Sequence, residues 1–336
     1  MSDRRQLVIG LVLLAAALAA PAFVGNYWLR VLTTVFMFGV VAQGLNVIVG
    51  FAGYHAFGNA VFFGIGAYAA GISLVLDVPV WAAVPLGTLV SAAVAALLGW
   101  PLLRLRGHYF SIATVALNAA AIEVIINVGG VTGGAQGLPL PFSALPPTAL
   151  YRVIYFAMLG ALVIATAIVF LLSRSRLGYA LRALRDSESG AEVMGVNTVK
   201  AKILAWTISA AMTGAVGGLW AYWLTFIEVG TAFDISISVR GYIMMLLGGM
   251  GTVIGPVIGA ALFQLVGDAI WGHFSGIHNL LLGALVMAVV LLVPQGVLDT
   301  LARLRAPFFG RERRAVQARP LAEARPGDAR PSEVRP

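Results

Sequence analysis

The chain has no cysteine, only two lysines (Lys200 and Lys202) among 22 basic residues, and charged residues at just 11% of its 336 positions. Without cysteine it has no disulfide framework, no thiolate metal site and no cysteine nucleophile. Its four histidines, His55, His108, His273 and His278, fall at no metal-ligating spacing such as HExxH. His273 and His278 share a short GHFSGIHN stretch that reads as a solvated or interfacial loop. No GxxxxGK(S/T) phosphate loop occurs, and no Ser-His-Asp or paired-carboxylate constellation stands out. The chain is therefore expected to bind no cofactor and to catalyse no covalent chemistry; any ATP that drives it must be hydrolysed by another protein.

What the chain has in abundance is apolar surface. Hydrophobic residues make up 60% of it and its mean hydropathy is +0.92, whereas soluble domains use roughly 45–50%. A soluble core of this size cannot enclose so many apolar side chains, so the excess faces lipid. The net charge of +8 and the pI near 10.2 would suit a nucleic-acid partner. The basic residues lie instead at the edges of apolar runs and in the C-terminal stretch, which is the placement expected of a membrane protein.

A helix crosses the hydrocarbon in roughly 20 mostly apolar residues. That length gives spans near 6–25, 29–50, 56–76, 80–103, 108–128 and 150–173, then near 203–226 and 276–293. Between the last two lies 237–268, apolar but rich in glycine. Orientation follows from the preference of Lys and Arg for the cytoplasmic side. With Arg4 and Arg5 inside, the polar segment 174–202 and the Arg-rich C-terminal stretch also fall inside. Of the 22 basic residues only Arg30, Arg152 and Arg240 then lie outside. This parity requires 237–268 to enter and return, as a re-entrant hairpin or two short helices whose open backbone is shielded by protein.

The expected fold is all-α and polytopic, with eight full spans plus this pair (ten crossings by a generous count) and both termini cytoplasmic. The first run also resembles a signal peptide ending near Ala20, but Pro21 just beyond argues for a retained span. Residues 1–302 form the membrane domain. Residues 303–336, rich in Arg, Pro, Ala and Glu, bury too little apolar surface to fold and are expected to be a disordered basic tail in the cytoplasm.

The polar island 174–202 is where function is sought. Leu177, Leu181 and Leu184 fall at helical spacing, with Arg182, Arg185 and Asp186 on the other side. A shorter helix follows, with Ser189 and Glu192 in capping-box spacing and Gly195 placed as its C-terminal stop. Val193, Met194 and Val196 give it a small apolar face. So short a helix is unstable alone and needs a neighbour. Two readings stand: an interfacial loop packed on its own helices, or a coupling helix that inserts into a cytoplasmic partner.

RLGYALRALRDSESGAEVMGVNTVKAKILAWTISAAMTGAVGGLWA (176–221) resembles the cytoplasmic loop and next span of LivM-type permeases of branched-chain amino acid ABC importers. Gly190-Ala191-Glu192 followed by Gly195 is similar to the Glu-Ala-Ala…Gly pattern of importer permeases. Three further blocks agree: GLNVIVGFAGYHAFGNAVFFGIGAYAA (44–70), RLRGHYFSIATVAL with TGGAQGL (104–138), and LLGGMGTVIGPVIGAAL with VPQGV (246–297). The chain departs from the family at Asn59, where histidine is common, and near Ala119, where an acidic residue is common; here Glu123 stands four positions on. The resemblance implies a bacterial inner-membrane permease for Leu, Ile and Val that works with a second related permease, two ATPase subunits and an extracytoplasmic binding protein. It further implies docking of the ATPases through Arg182, Arg185, Glu188, Gly190, Ala191, Glu192 and Gly195. The same family serves urea, short amides and other small solutes.

The membrane residues have readings of their own. A carboxylate at a helix centre costs roughly 2.5–3.5 kcal/mol, so Glu123 either faces protein and a polar path or lies near the outer interface. Gln43, Asn46, Asn59, Asn118 and Gln264 line such a path or act as interhelical glue worth about 0.6 kcal/mol each. Gly251, Gly255 and Gly259 recur every fourth residue and admit close helix packing, within the fold or against a second permease. The Gly/Pro-rich loop 128–148 is either an outer docking surface or a connection. A stand-alone secondary carrier would need ion-coupling carboxylates at mid-membrane, and only Glu123 comes close. A membrane scaffold would need no polar path at all.

Overall fold

The computed structural model describes residues 3–105, 107–141 and 146–273, together with Gly283 and Met287. The span expected at 276–293, apart from those last two residues, and the tail 303–336 lie outside the described residues.

Backbone in lipid must satisfy its own hydrogen bonds, so the apolar runs fold as helices. In chain order these are α1 (Asp3–Phe23), α2 (Asn26–Leu45), α3 (Ala60–Val75), α4 (Val80–Leu102), α5 (His108–Asn127), α6 (Gly129–Thr132), α7 (Pro147–Arg174), α8 (Arg176–Asp186), α9 (Glu188–Val193), α10 (Thr198–Trp223), α11 (Val229–Ala232), α12 (Ile235–Gly248) and α13 (Gly255–His273). A π-helical turn, Asn46–Phe51, continues α2. Among the described residues six helices are long and apolar enough to cross a membrane: 26–51, 80–102, 108–127, 148–174, 198–223 and 229–248. Leu14–Phe23, Ala60–Val75 and Gly255–Ile270 are apolar but shorter.

Two segments differ from simple spans. The run expected at 56–76 begins only at Ala60, because residues 52–59 leave the helix, with Gly53 at φ 77°. The segment 237–268 folds as two helices, α12 and α13, with its break at 249–254, where Gly249 and Gly251 take positive φ. The chain folds back there so closely that a Cβ on Gly259 would overlap the Met244 carbonyl. Two-residue strands, β1 (Leu138–Pro139) and β2 (Phe226–Ile227), pair antiparallel beyond the end of α10. The loop before β1 is folded back on α5, where the Thr132 hydroxyl donates to Ile125 O at 2.7 Å.

α2 is the centre of the molecule. Over its apolar stretch 89% of residues are buried, against 17% in α5, and α7, α10, α12 and α13 all pack on it. α3, α4 and α10 form a second tight group. A Cβ on Gly66 would overlap the Gly214 carbonyl, so α3 and α10 meet backbone to backbone. α5 lies outermost. It is held through Ser111 Oγ, which donates to His55 O at 2.8 Å, Thr114 Oγ1, which accepts from Gly58 N at 3.2 Å, and Asn118 Nδ2, which donates to Phe233 O at 2.8 Å.

Candidate functional site

Three side-chain caps shape the polar island. Ser175 Oγ accepts from Gly178 N, Ser187 Oγ from Gly190 N, and Asn197 Oδ1 from Lys200 N, each at 3.0–3.1 Å. Each satisfies an amide that the following helix leaves free. The turn of the chain into α9 is thus set by Ser187, two residues before the serine that the Ser-x-x-Glu spacing singled out, because Ser187 already has the extended backbone of a cap (φ −161°). α9 ends as expected at Gly195 (φ 83°), where Val196 N donates to Ala191 O and Gly195 N to Glu192 O, the paired bonds of a Schellman stop.

The inward side of this pair is tied down. Leu181 and Leu184 are buried in the core. Glu188 accepts from the Lys202 ammonium and from Tyr54 Oη at 2.6 Å, and Lys202 also lies over the Tyr54 ring, 4.7 Å from its centroid. Lys202 is 3% exposed, so this charge is compensated by the carboxylate and the ring rather than by water. Glu192 leaves the capping box unused and accepts instead from Thr198 Oγ1 at 2.9 Å. Arg182 donates to Ser173 O and lies beside the Phe51 and Tyr179 rings. The outward side is different: Val193 and Met194, at the tip of α9, are 87% and 84% exposed.

Arg185, placed by helical spacing on the polar face, reaches inward along its long stem. Its Nη1 donates to Gly50 O, at the end of the π turn, at 2.6 Å. Asn46, four residues earlier, binds the α12–α13 turn twice, accepting from Gly251 N and donating to Thr252 O, both at 2.8 Å. Gln43 donates to Val253 O at 2.7 Å. The Tyr242 phenol stands 3.1 Å from His55 Nδ1 in the neighbouring connection. Partial burial, and then the nearby charges of His108 and Arg185, hold the His55 imidazole below its ordinary pKa.

The remaining polar candidates separate into groups. Asn59 Nδ2 donates to Thr213 Oγ1 at 2.9 Å, with Ser209 Oγ 3.4 Å from its Oδ1, making a buried polar seam between α3 and α10. Asn118 is buried and holds the α11–α12 joint, with its Oδ1 lacking a protein partner. Gln264 is half-buried on α13, away from both. Glu123 joins none of them; it sits on the exposed side of α5, one turn from the helix end. The glycine stripe is also split. Gly255 and Gly259 seat α13 on α12, while Gly251 lies in the turn beside Gly50 and Arg185.

A cavity of about 640 Å³ opens between α1, α2, α7 and α13, but its walls, such as Leu14, Phe36, Leu162 and Ile258, are apolar. Its polar side chains, Tyr155 and Thr166, already donate their hydroxyls to Ala17 O and Leu162 O, so it is poorly suited to a charged solute. Sequence reasoning missed Tyr54, Thr198, Thr252 and the burial of Lys202. Only Lys202 gave a signal, as a charge immediately before an apolar run. Among the described residues no group of His, Asp or Glu is arranged to hold a metal ion.

Residues 27–293 match the family described as branched-chain amino acid transport system / permease component. The chain is 29% identical over 328 residues to the high-affinity branched-chain amino acid transport system permease protein LivM of Salmonella typhimurium, covering 88% of this chain and 76% of that one. It is 25% identical over 289 residues to LivH of the same organism, 78% of this chain and 91% of LivH. To the autoinducer 2 import system permease protein LsrC of Yersinia pestis it is 29% identical over 216 residues, 60% of this chain and 57% of LsrC. No solved structure matches.

Proposed function

Because this chain belongs to the branched-chain amino acid transport permease family, a family of multi-pass membrane transport proteins rather than of enzymes, we propose that it is a permease subunit of an ABC importer. It moves Leu, Ile and Val inward, driven by ATP hydrolysed on partner subunits. The observation that carries the coupling role is the tip of α9. Two large apolar side chains, Val193 and Met194, stand in the open on a helix pair braced from behind by three caps, the Glu188–Lys202 pair and the Glu192–Thr198 bond. A braced apolar knob on a polar loop is the shape of an anchor residue for a partner's pocket.

In this reading two ATPase subunits serve the complex, one seated on the 177–196 segment. Gly190, Ala191 and Gly195 shape that segment, Glu192 adjoins the knob, Arg182 adds a basic group on α8, and Arg185 and Glu188 hold the pair in place. A second, related permease completes the pathway; the likeness to both LivM and LivH supports such a pairing. A binding protein delivers solute at the face bearing the β1–β2 ribbon. The complex lies in the bacterial inner membrane with 174–202 and both termini in the cytoplasm, and this chain binds no cofactor itself. The seam of Asn59, Ser209 and Thr213 supplies polar groups that a zwitterion needs. The likeness to LsrC favours one second reading, the same machine carrying another small polar solute.

The test is purification of the tagged protein from its host in mild detergent. Recovery of phosphate-loop ATPases and a second permease is expected, with uptake of labelled leucine by the reconstituted complex. Recovery of this chain alone, from membranes that transport, would refute the importer assignment.

A further inference from the structure

Three interruptions of regular helix converge beneath α8: the π turn that ends α2, the 52–59 connection, and the 249–254 turn. Arg185 touches all three. It donates to Gly50 O, its stem lies against Gly53, and a Cβ on Gly251 would stand 3.3 Å from its Nη1. From Gly50 the contact continues through Asn46, whose amide grips Gly251 N and Thr252 O, and through Gln43, which holds Val253 O. The Arg185–Gly50 bond at one end and the Asn46 and Gln43 bonds at the other, joined by the backbone of α2 and its π turn, therefore connect the α8–α9 pair to the bend of the membrane hairpin.

These bonds attach to a π turn, a stretch of backbone for which an α register is the alternative winding. A π turn carries one residue more than an α-helix needs, and such turns recur at functional sites. Returning that residue to α register would rotate the chain beyond it by about 100° and displace it by about 1.5 Å along the axis. Gly50 and Asn46 both sit in this turn, so its two registers present different anchor points to Arg185 and to the 249–254 bend. Backbone-to-backbone contact between α3 and α10 leaves the neighbouring group far less room to move.

Resting on the importer reading, we infer that Arg185 and Asn46 are positioning residues of the transport step. They tie the displacement of α8 and α9 to the position of the α12–α13 bend, which is more than the stabilising role of ordinary interhelical amides.

The experiment compares reconstituted complexes carrying Asn46→Leu or Arg185→Gln with the unaltered complex, reading ATP hydrolysis and leucine uptake together. The number of ATP molecules spent per leucine moved is expected to rise by roughly 3- to 30-fold while the ATPases remain bound. An unchanged ratio, with hydrolysis and uptake falling in step or not at all, overturns the inference. Should a variant assemble poorly, a second measurement decides. This subunit has no native thiol, so a spin label on Met250→Cys reports the bend alone when the partners are cysteine-free. Its spectrum is expected to change on addition of a non-hydrolysable ATP analogue, and to stop changing when Arg185→Gln is added. The same change in both proteins would overturn the coupling. Failure of the unaltered chain to bind any ATPase would instead strike the importer reading itself.

Discussion

Glu188 and Lys202 meet across the junction of α9 and α10, with the Tyr54 hydroxyl on the second carboxylate oxygen, so one acid joins three separate stretches of chain. Removing the acid leaves a lysine that is 3% exposed without its counter-charge. Glu188→Gln is expected to destabilise the protein by about 3 kcal/mol, the lower end of the range for a broken buried pair because Glu188 keeps some solvent contact. The double variant Glu188→Leu/Lys202→Met should recover most of the loss. Thermal unfolding in detergent, run as a double-mutant cycle, checks this; additive losses would show that the two side chains do not interact.

Val193→Asp and Met194→Asp alter side chains that touch little else, so unfolding temperature should stay within the small range typical of surface changes. Partner binding should not. Each substitution puts a carboxylate where an apolar anchor enters a pocket, and a loss of about 2 kcal/mol, near 30-fold in affinity, is expected. Co-purification of the ATPases at undiminished yield would contradict the assignment of this tip.

His55 supplies a pH dependence. Its pKa is lowered in the fold, so the folded state favours the neutral imidazole. The corresponding stability is present above the ordinary histidine value of about 6.5 and is lost as the pH falls through it, since the unfolded chain then binds the proton more readily. Between about pH 7 and pH 5 the unaltered protein should lose more thermal stability than His55→Gln. Parallel pH curves for the two would remove His55 as the cause.

Gly66→Ala forces a methyl group into the Gly214 carbonyl and should cost about 1–3 kcal/mol, as overpacking does. Gly160→Ala is the control. Nothing lies within 4 Å of a Cβ there, and in mid-helix the change should be neutral or stabilising by up to about 1 kcal/mol. Unfolding curves for the pair give the comparison directly.

The helical elements were legible because lipid imposes one long apolar pattern on each of them. The break at 249–254 was legible for the same reason, since charge parity demanded a return and glycine marked where it would come. Leu181 and Leu184 followed from periodicity alone. The start of α9 was displaced because Ser187 and Ser189 offer the same hydroxyl, and only backbone geometry chooses between them. Arg185 was invisible as an inward group: its acceptor is 135 positions away, and helical spacing records only which side a residue leaves from. Asn46 and Gln43 were recognisable as costly polar groups in an apolar run, but their partners are backbone atoms, which carry no sequence signature. The glycine repeat does admit close backbone approach, but not along one helix, because Gly251 takes φ 74° in the turn before α13 begins.

α5 is fastened to interruptions. Three of its bonds end at His55 O, Gly58 N and Phe233 O, each a place where another segment has stopped being helix. Between helices already in lipid, apolar contact alone gives little preference over lipid itself, so these bonds decide where α5 settles. Phe233 is synthesised long after α5. His55 and Gly58 are already made when α5 enters the bilayer, so only the Asn118 bond waits for the α11–α12 joint, and the helix is seated in two stages.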